Sequence, residues 1–271
     1  MNAEAGDVYA QQLFPVGFGH PLWRPEPDLK TGREVLVGDV GFIRRCHFTP
    51  LFNTTKPATD PINWHKGIPT GFQALSLPDT SISRSDKIMQ DMVCSGDVDA
   101  VKVEEDIAAA GWRLRSAADA GALVVLDPPA VAEDMIEPRP YIVDYMRENF
   151  DSWFQLANVQ RGIGLEDHEI IFVCGVLKTT RWGVGAFQRE EIRNMEGRVF
   201  GQLGVFGDAG FSLDFDRKIL PGSHCNTGPS LLGVLREPGV RNQCLFIHYY
   251  RMKRRTSWRP LLWLRSRLAH V

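Results

Sequence analysis

From Val199 to Phe215 every second residue is apolar or glycine: Val199, Gly201, Leu203, Val205, Gly207, Ala209, Phe211, Leu213 and Phe215. The positions between them include Gln202, Asp208, Ser212 and Asp214, interrupted by Phe200 and Phe206. Period two marks a strand with one apolar face. The run is longer than a typical strand. Upstream, Glu169 to Phe187 opens on a continuous apolar run, IIFVCGVL, as expected of a strand buried on both faces. A charged connection over 188–197, QREEIRNMEG, separates the two. The pattern predicts a long amphipathic antiparallel hairpin over about 169–215.

One helix stands out, over about 140–159. Ile142, Met146, Phe150, Trp153 and Ala157 recur at spacings of three and four, Pro140 suits a first turn, and Gly162 and Gly164 end it. Strands are expected at Glu34–Ile43, with an irregularity at Gly38-Asp39, and near 87–94, 98–103, 112–115, 122–126 and 243–251. Residues 104–110 could instead form a short helix. Residues 49–81 and 220–239 read as Pro/Gly loops. The order is strands, helix, hairpin, strand, without βαβ alternation. It predicts an α+β fold with a mainly antiparallel sheet. The expected division is an extended, Pro/Gly-rich entry segment over 1–33, one domain over 34–250 and a basic tail over 251–271.

The chain carries 31 Lys+Arg against 33 Asp+Glu, a balance that argues against a nucleic-acid binder. The charge is unevenly placed. Residues 251–271 hold Arg251, Lys253, Arg254, Arg255, Arg259, Arg265 and Arg267 and no acid, so the rest of the chain is strongly acidic. The tail also holds Trp258, Leu261, Leu262, Trp263 and Leu264. A basic Trp/Leu helix can lie on an anionic membrane. A solvated end helix and an accident of gene prediction are the other readings. Met1 to Ala10 contains Glu4 and Asp7 and lacks an apolar core, so no secretory signal is expected. No apolar run is long enough for a transmembrane helix, whereas spanning strands would leave only a weak signal. Five cysteines without a CxxC fit a reducing compartment.

Chemical motifs are sparse. Glycines 201, 204, 207 and 210 form neither phosphate-loop pattern and precede no helix, so they read as bends in a strand. His224-Cys225 and Cys46-His47 could supply a nucleophile and base, but no third group is implied. Asp39 and Asp127 sit at strand ends, where turn and capping roles are expected. No HxH, HExxH or carboxylate cluster suggests a metal, and no cofactor is expected.

Seven stretches together resemble an expanded family of mushroom-type fungal proteins: PLWRPEP (21–27), VLVGDVGFI (35–43), LFN (51–53), GALVVL (121–126), YIVDYMRENFDSWFQLAN (141–158), IIFVCGVLKTTRWGVGAF (170–187) and QCLFIHYYRMK (243–253). That resemblance implies an intracellular fungal protein and brings no activity with it. The tail after Arg254 lies outside the pattern. In layout the chain is also similar to the pore-forming domain of gasdermins: an extended entry, a strand with Asp39, a helix, then the hairpin. This similarity implies hairpins that unfold into membrane-spanning strands and basic residues that bind acidic lipids.

The leading expectation is a non-enzymatic intracellular protein that acts by membrane or partner contact, with gasdermin-like membrane association or pore formation as its specific form. Acidic lipids and self-association are the expected partners. The expected contact residues are Lys178, Arg181, Trp182, Lys253, Arg254, Arg255, Arg259 and Trp263. The expected location is cytoplasmic, with membrane association. The alternatives are a soluble ligand- or protein-binding module using the loops at 49–81 and 220–240, and a hydrolase using Cys225 and His224.

Overall fold

The structure, a computed structural model, describes residues 5–28, 30–64, 67–78, 81–86, 91–96, 98–104, 110–116, 120–127, 129–136, 139–188, 195–201, 211–215, 224–230 and 239–252. The fold is α+β with dominant antiparallel sheets, as the sequence predicts. The first sheet, A, holds β1 (His20–Pro21), β2 (Asp39–Arg44), β3 (His47–Asn53), β4 (Ile82–Asp86), β9 (Val131–Met135), β10 (Ile171–Thr179) and β15 (Gln243–Arg251). Two four-stranded sheets lie beyond it. Sheet B has the order β14-β11-β8-β5, made of β5 (Met92–Cys94), β8 (Ala120–Asp127), β11 (Arg181–Gln188) and β14 (His224–Gly228). Sheet C has the order β13-β12-β7-β6, made of β6 (Val98–Glu104), β7 (Ala110–Ser116), β12 (Met195–Gly201) and β13 (Phe211–Phe215).

Sheet A forks at β10. One edge of β10 pairs with β15 along its length, while the other pairs with β2 at Ile171 and Phe172 and with β9 from Gly175 to Lys178. The unbroken apolar sequence of β10 is explained by this position. Helix α3 (Arg139–Gln155) continues as a π turn over Leu156–Gln160 and covers one face of sheet A. All five stripe residues, Ile142, Met146, Phe150, Trp153 and Ala157, are buried, and Trp153 stacks on Phe172 of β10 at 6.4 Å. Each such side chain contributes about 1.5–3 kcal/mol in transfer free energy. Gly162 and Gly164 follow at φ +62° and +73°, conformations that favour glycine. The opposite face of sheet A is covered by Leu22, Val35 and Val37 of the connection into β2.

The entry segment departs from the expectation of an extended chain. Residues Ala5–Leu13 form helix α1 before the first Pro/Gly cluster begins. Val8, Tyr9 and Leu13 are buried there, in the core between sheets A and B. Residues 49–81 are not all loop either: β3 runs through Asn53, and Pro61–Trp64 forms the short α2. Asn63 of that turn is fully buried. Its side chain accepts the Asn53 N–H at 2.7 Å and donates to the carbonyls of Asn53, Lys56 and Pro57. Side-chain hydrogen bonds supply there the order that periodicity does not.

Inside 169–215 the pairing differs from the expected hairpin. The first strand bends at Thr180, so that β10 belongs to sheet A and β11 to sheet B. β11 pairs with β8 and β14, while β12 pairs with β7 and β13. The hairpin within this region is β12–β13, over 195–215, and its connecting residues 202–210 lie outside the described residues. A strand pattern states which residues share a face. It does not state which neighbour meets the edge, because backbone hydrogen bonds are indifferent to sequence.

Candidate functional site

Sheets B and C share one strand order. β5 is followed in the chain by β6, β7 by β8, β11 by β12 and β13 by β14, and each pair occupies matching places in the two sheets. Four chain segments, 92–104, 110–127, 181–201 and 211–228, therefore cross both sheets side by side, with a break in each between B and C. At the first break the Val98 N–H donates to Ser95 O at 3.0 Å and closes a turn, while Ser95 stays tied to β8: its N–H donates to Ala122 O at 2.8 Å and its Oγ accepts the Ala122 N–H at 3.1 Å. The other breaks, at 117–119, 189–194 and 216–223, lie outside the described residues.

The register divides sheet C by polarity. Directly opposed residues share a face. Asp214, Arg198, Arg113 and Val101 lie in one cross-strand row, and Glu196, Arg115 and Asp99 lie in the next row on the same side. That side also takes the largely apolar row Ser212–Phe200–Gly111–Val103. The other side takes the rows Phe215–Gly197–Leu114–Ala100, Leu213–Val199–Trp112–Lys102 and Phe211–Gly201–Ala110–Glu104, apolar except for Lys102 and Glu104 of β6. The alternation of 198–215 thus extends to β7, where Trp112-Arg113-Leu114-Arg115 carries it in the expected strand at 112–115, and it breaks down in β6.

The two inner strands of sheet B, β8 and β11, are apolar on both faces, while edge strand β14 is polar. Rows Trp182–Leu126, Val184–Val124 and Ala186–Ala122 face α1, and all six side chains are buried. Met92, Leu123, Val125 and Phe187, at the alternate positions, are buried as well.

The expected contact residues separate. Lys178 is 5% exposed and its Nζ donates to Glu34 at 2.6 Å. Trp182 is 1% exposed, lies against Gly228, and donates its indole N–H to Gln243 Oε1 at 3.0 Å. Neither presents its side chain to solvent in this conformation: Lys178 sits between two neighbouring strands, and Trp182 is on the face under α1. Arg181 begins β11 opposite Asp127 and is half-buried. Lys253, Arg254, Arg255, Arg259 and Trp263 lie outside the described residues.

Asp39 is fully buried and accepts from Arg33, from the Leu36 N–H at 2.8 Å and from Asn53 Nδ2 at 2.8 Å. Burial pushes its pKa above the usual range, against the pull of those donors. The network ties the 33–39 connection to β3, a structural task. His224 and Cys225 are consecutive strand residues, opposite Ala186 and Gly185. Successive strand positions alternate between faces, a placement that does not favour a nucleophile–base pair. Cys225 is exposed and lines an open cleft of about 810 Å³ with Trp23, Arg24, Asp28, Lys30 and His47. Burial pushes the Cys244 thiol up to about 12, which keeps it protonated. Among the described residues no group of three or more His, Cys, Asp and Glu is placed to hold a metal, and no helix is long and apolar enough to cross a membrane. The second statement says nothing of strands. No family model matches the chain, and comparison with curated proteins finds no relative.

Proposed function

We propose that the protein acts on membranes through the four-segment ribbon formed by sheets B and C. The observation that carries this reading is the shared strand order. No strand of sheet C exceeds 7 residues, short of the about 9–11 that a tilted strand needs to cross a bilayer. Straightening the breaks would join each sheet C strand to its sheet B neighbour, and every joined segment would exceed that length. The side of sheet C with Leu114, Val199 and Leu213, apolar except for Lys102 and Glu104 of edge strand β6, would meet lipid, and the rows with Asp214, Arg198 and Arg113 would meet water, as in membrane barrels. The ribbon's edges are β5–β6 on one side and β13–β14 on the other. Open edges pair with further strands, and the two unlike edges favour head-to-tail self-association. Acidic lipids suit the basic tail.

The test is dye release from anionic and from neutral vesicles, using the full chain, a chain ending at Tyr250, and Leu213→Asp. Release that requires anionic lipid and is lost in Leu213→Asp while vesicle binding persists supports the proposal. Binding without release, lost on truncation, reduces the activity to surface attachment. Absence of both overturns it. The cleft at Cys225 favours a second reading, a soluble ligand-binding module. Native mass spectrometry of the purified chain would reveal a retained small molecule.

A further inference from the structure

Helix α1 covers one face of sheet B. Val8, Tyr9 and Leu13 fill the face made by Ala122, Val124 and Leu126 of β8 and Trp182, Val184 and Ala186 of β11. These are the two inner strands of the sheet. Whatever moves sheet B relative to sheet A must first remove α1 from between them.

The attachment of α1 has three features of a separable part. It spans 9 residues, below the length at which an isolated helix is stable in water, so its order depends on this packing. Tyr9 is 0% exposed and its hydroxyl has no hydrogen-bond partner among the described residues, a defect within the interface itself. The helix rests on a strained support: Arg45 and Cys46, which join β2 to β3, both have positive φ, +49° and +54°, where neither residue type is favoured. Gly6 sits directly on Cys46, so close that a Cβ at position 6 would lie 3.1 Å from both Cβ and Sγ of Cys46. The Cys46 thiol also donates to Asp7 Oδ1 at 3.5 Å.

We propose that α1 is an intramolecular clasp, which covers the apolar face of sheet B and must leave before that face can meet lipid. This regulatory role rests on the membrane reading above, yet it makes a separate claim about the soluble protein. With α1 seated, the apolar face of β8 and β11 is covered. With α1 released, that face is free. A partner or lipid surface that captures α1, or the face beneath it, would trigger the change by differential binding to the released state.

The geometry provides its own test. Disulfides need Cβ atoms about 3.5–4.5 Å apart, and Gly6→Cys would place its Cβ close to this range from Cys46. The variant is made in a Cys225→Ser background, which removes the exposed thiol, then oxidised with diamide or reduced with dithiothreitol. The expected result is release from anionic vesicles slowed about ten-fold or more in the oxidised form and restored on reduction. Undiminished release from the fully crosslinked protein would overturn the clasp. Hydrogen exchange in solution separates this from failure of the membrane reading. Val8→Ala should speed exchange at 122–126 and 182–186 but not at 171–177, and the crosslink should slow it. No difference at those amides in either variant would overturn the clasp even if the chain never permeabilises a vesicle.

Discussion

Replacing Tyr9 by Phe tests the interface on which α1 depends. Tyr9 is fully buried, meets Trp23 edge-on at 5.2 Å and 66°, and its hydroxyl finds no partner among the described residues. In the unfolded chain that hydroxyl is hydrated. Folding removes the water and supplies nothing in exchange, at a cost of about 1–3 kcal/mol. Tyr9→Phe keeps the ring, its contact with Trp23 and nearly all the buried area, so the variant should be more stable by about that amount. In urea the midpoint should rise while the slope stays constant. The melting temperature should rise by about 2–4 °C for each kcal/mol. Burial also pushes the phenol far above its ordinary pKa of about 10. A raised folded-state pKa means that stability is complete below pH ~10 and is lost as pH rises beyond it. The advantage of Tyr9→Phe should therefore widen above pH ~10, because phenylalanine does not titrate. A neutral or destabilised variant would refute the reasoning, since it would mean that a buried water already satisfies the hydroxyl. The same substitution should tighten the clasp and slow dye release.

His20 offers a second buried defect, with the opposite pH sign. Its Nε2 is buried without a partner, and burial lowers its pKa to about 4. A lowered folded-state value means that stability is complete above pH ~6.5 and falls by about 3 kcal/mol as pH drops toward 4. Urea midpoints at pH 7 and pH 4.5 should diverge less in His20→Leu than in the natural chain, and equal divergence would remove His20 from the account. Gly175→Ala should destabilise by about 1–3 kcal/mol through overpacking. The added methyl would overlap the Asp134 carboxylate, which reaches across β10 to His248 Nδ1 at 3.2 Å. Thermal denaturation would detect the loss, and an unchanged melting temperature would show that the strands yield freely there.

Residue chemistry made some elements legible and left others hidden. The stripe of α3 was readable because one face of a helix must be apolar to bury, and the spacing is local. Gly162 and Gly164 were readable as its end because few other residues take the conformation they adopt. Helix α1 was missed because AGDVYAQQL carries only three large apolar residues and stands beside a Pro/Gly-rich stretch. Its helical state depends on the sheet that it covers. Lys178 and Trp182 looked like surface candidates because a cation and an indole beside a strand bend suit an interface. Glu34 and Gln243, their partners, are 144 and 61 residues away in the chain, a pairing that no local pattern announces.

By itself the sequence determined the antiparallel α+β character, the main helix and the two-faced strands, because side-chain alternation and helical spacing are properties of the chain within a few residues. Tertiary structure alone decided that 169–188 divides between two sheets at Thr180, that four segments run through sheets B and C in one order, and that α1 covers β8 and β11. Pairing of edges and covering of faces are contests among distant segments for the same hydrogen bonds and the same apolar area. Their outcome depends on which contacts can be made together in space.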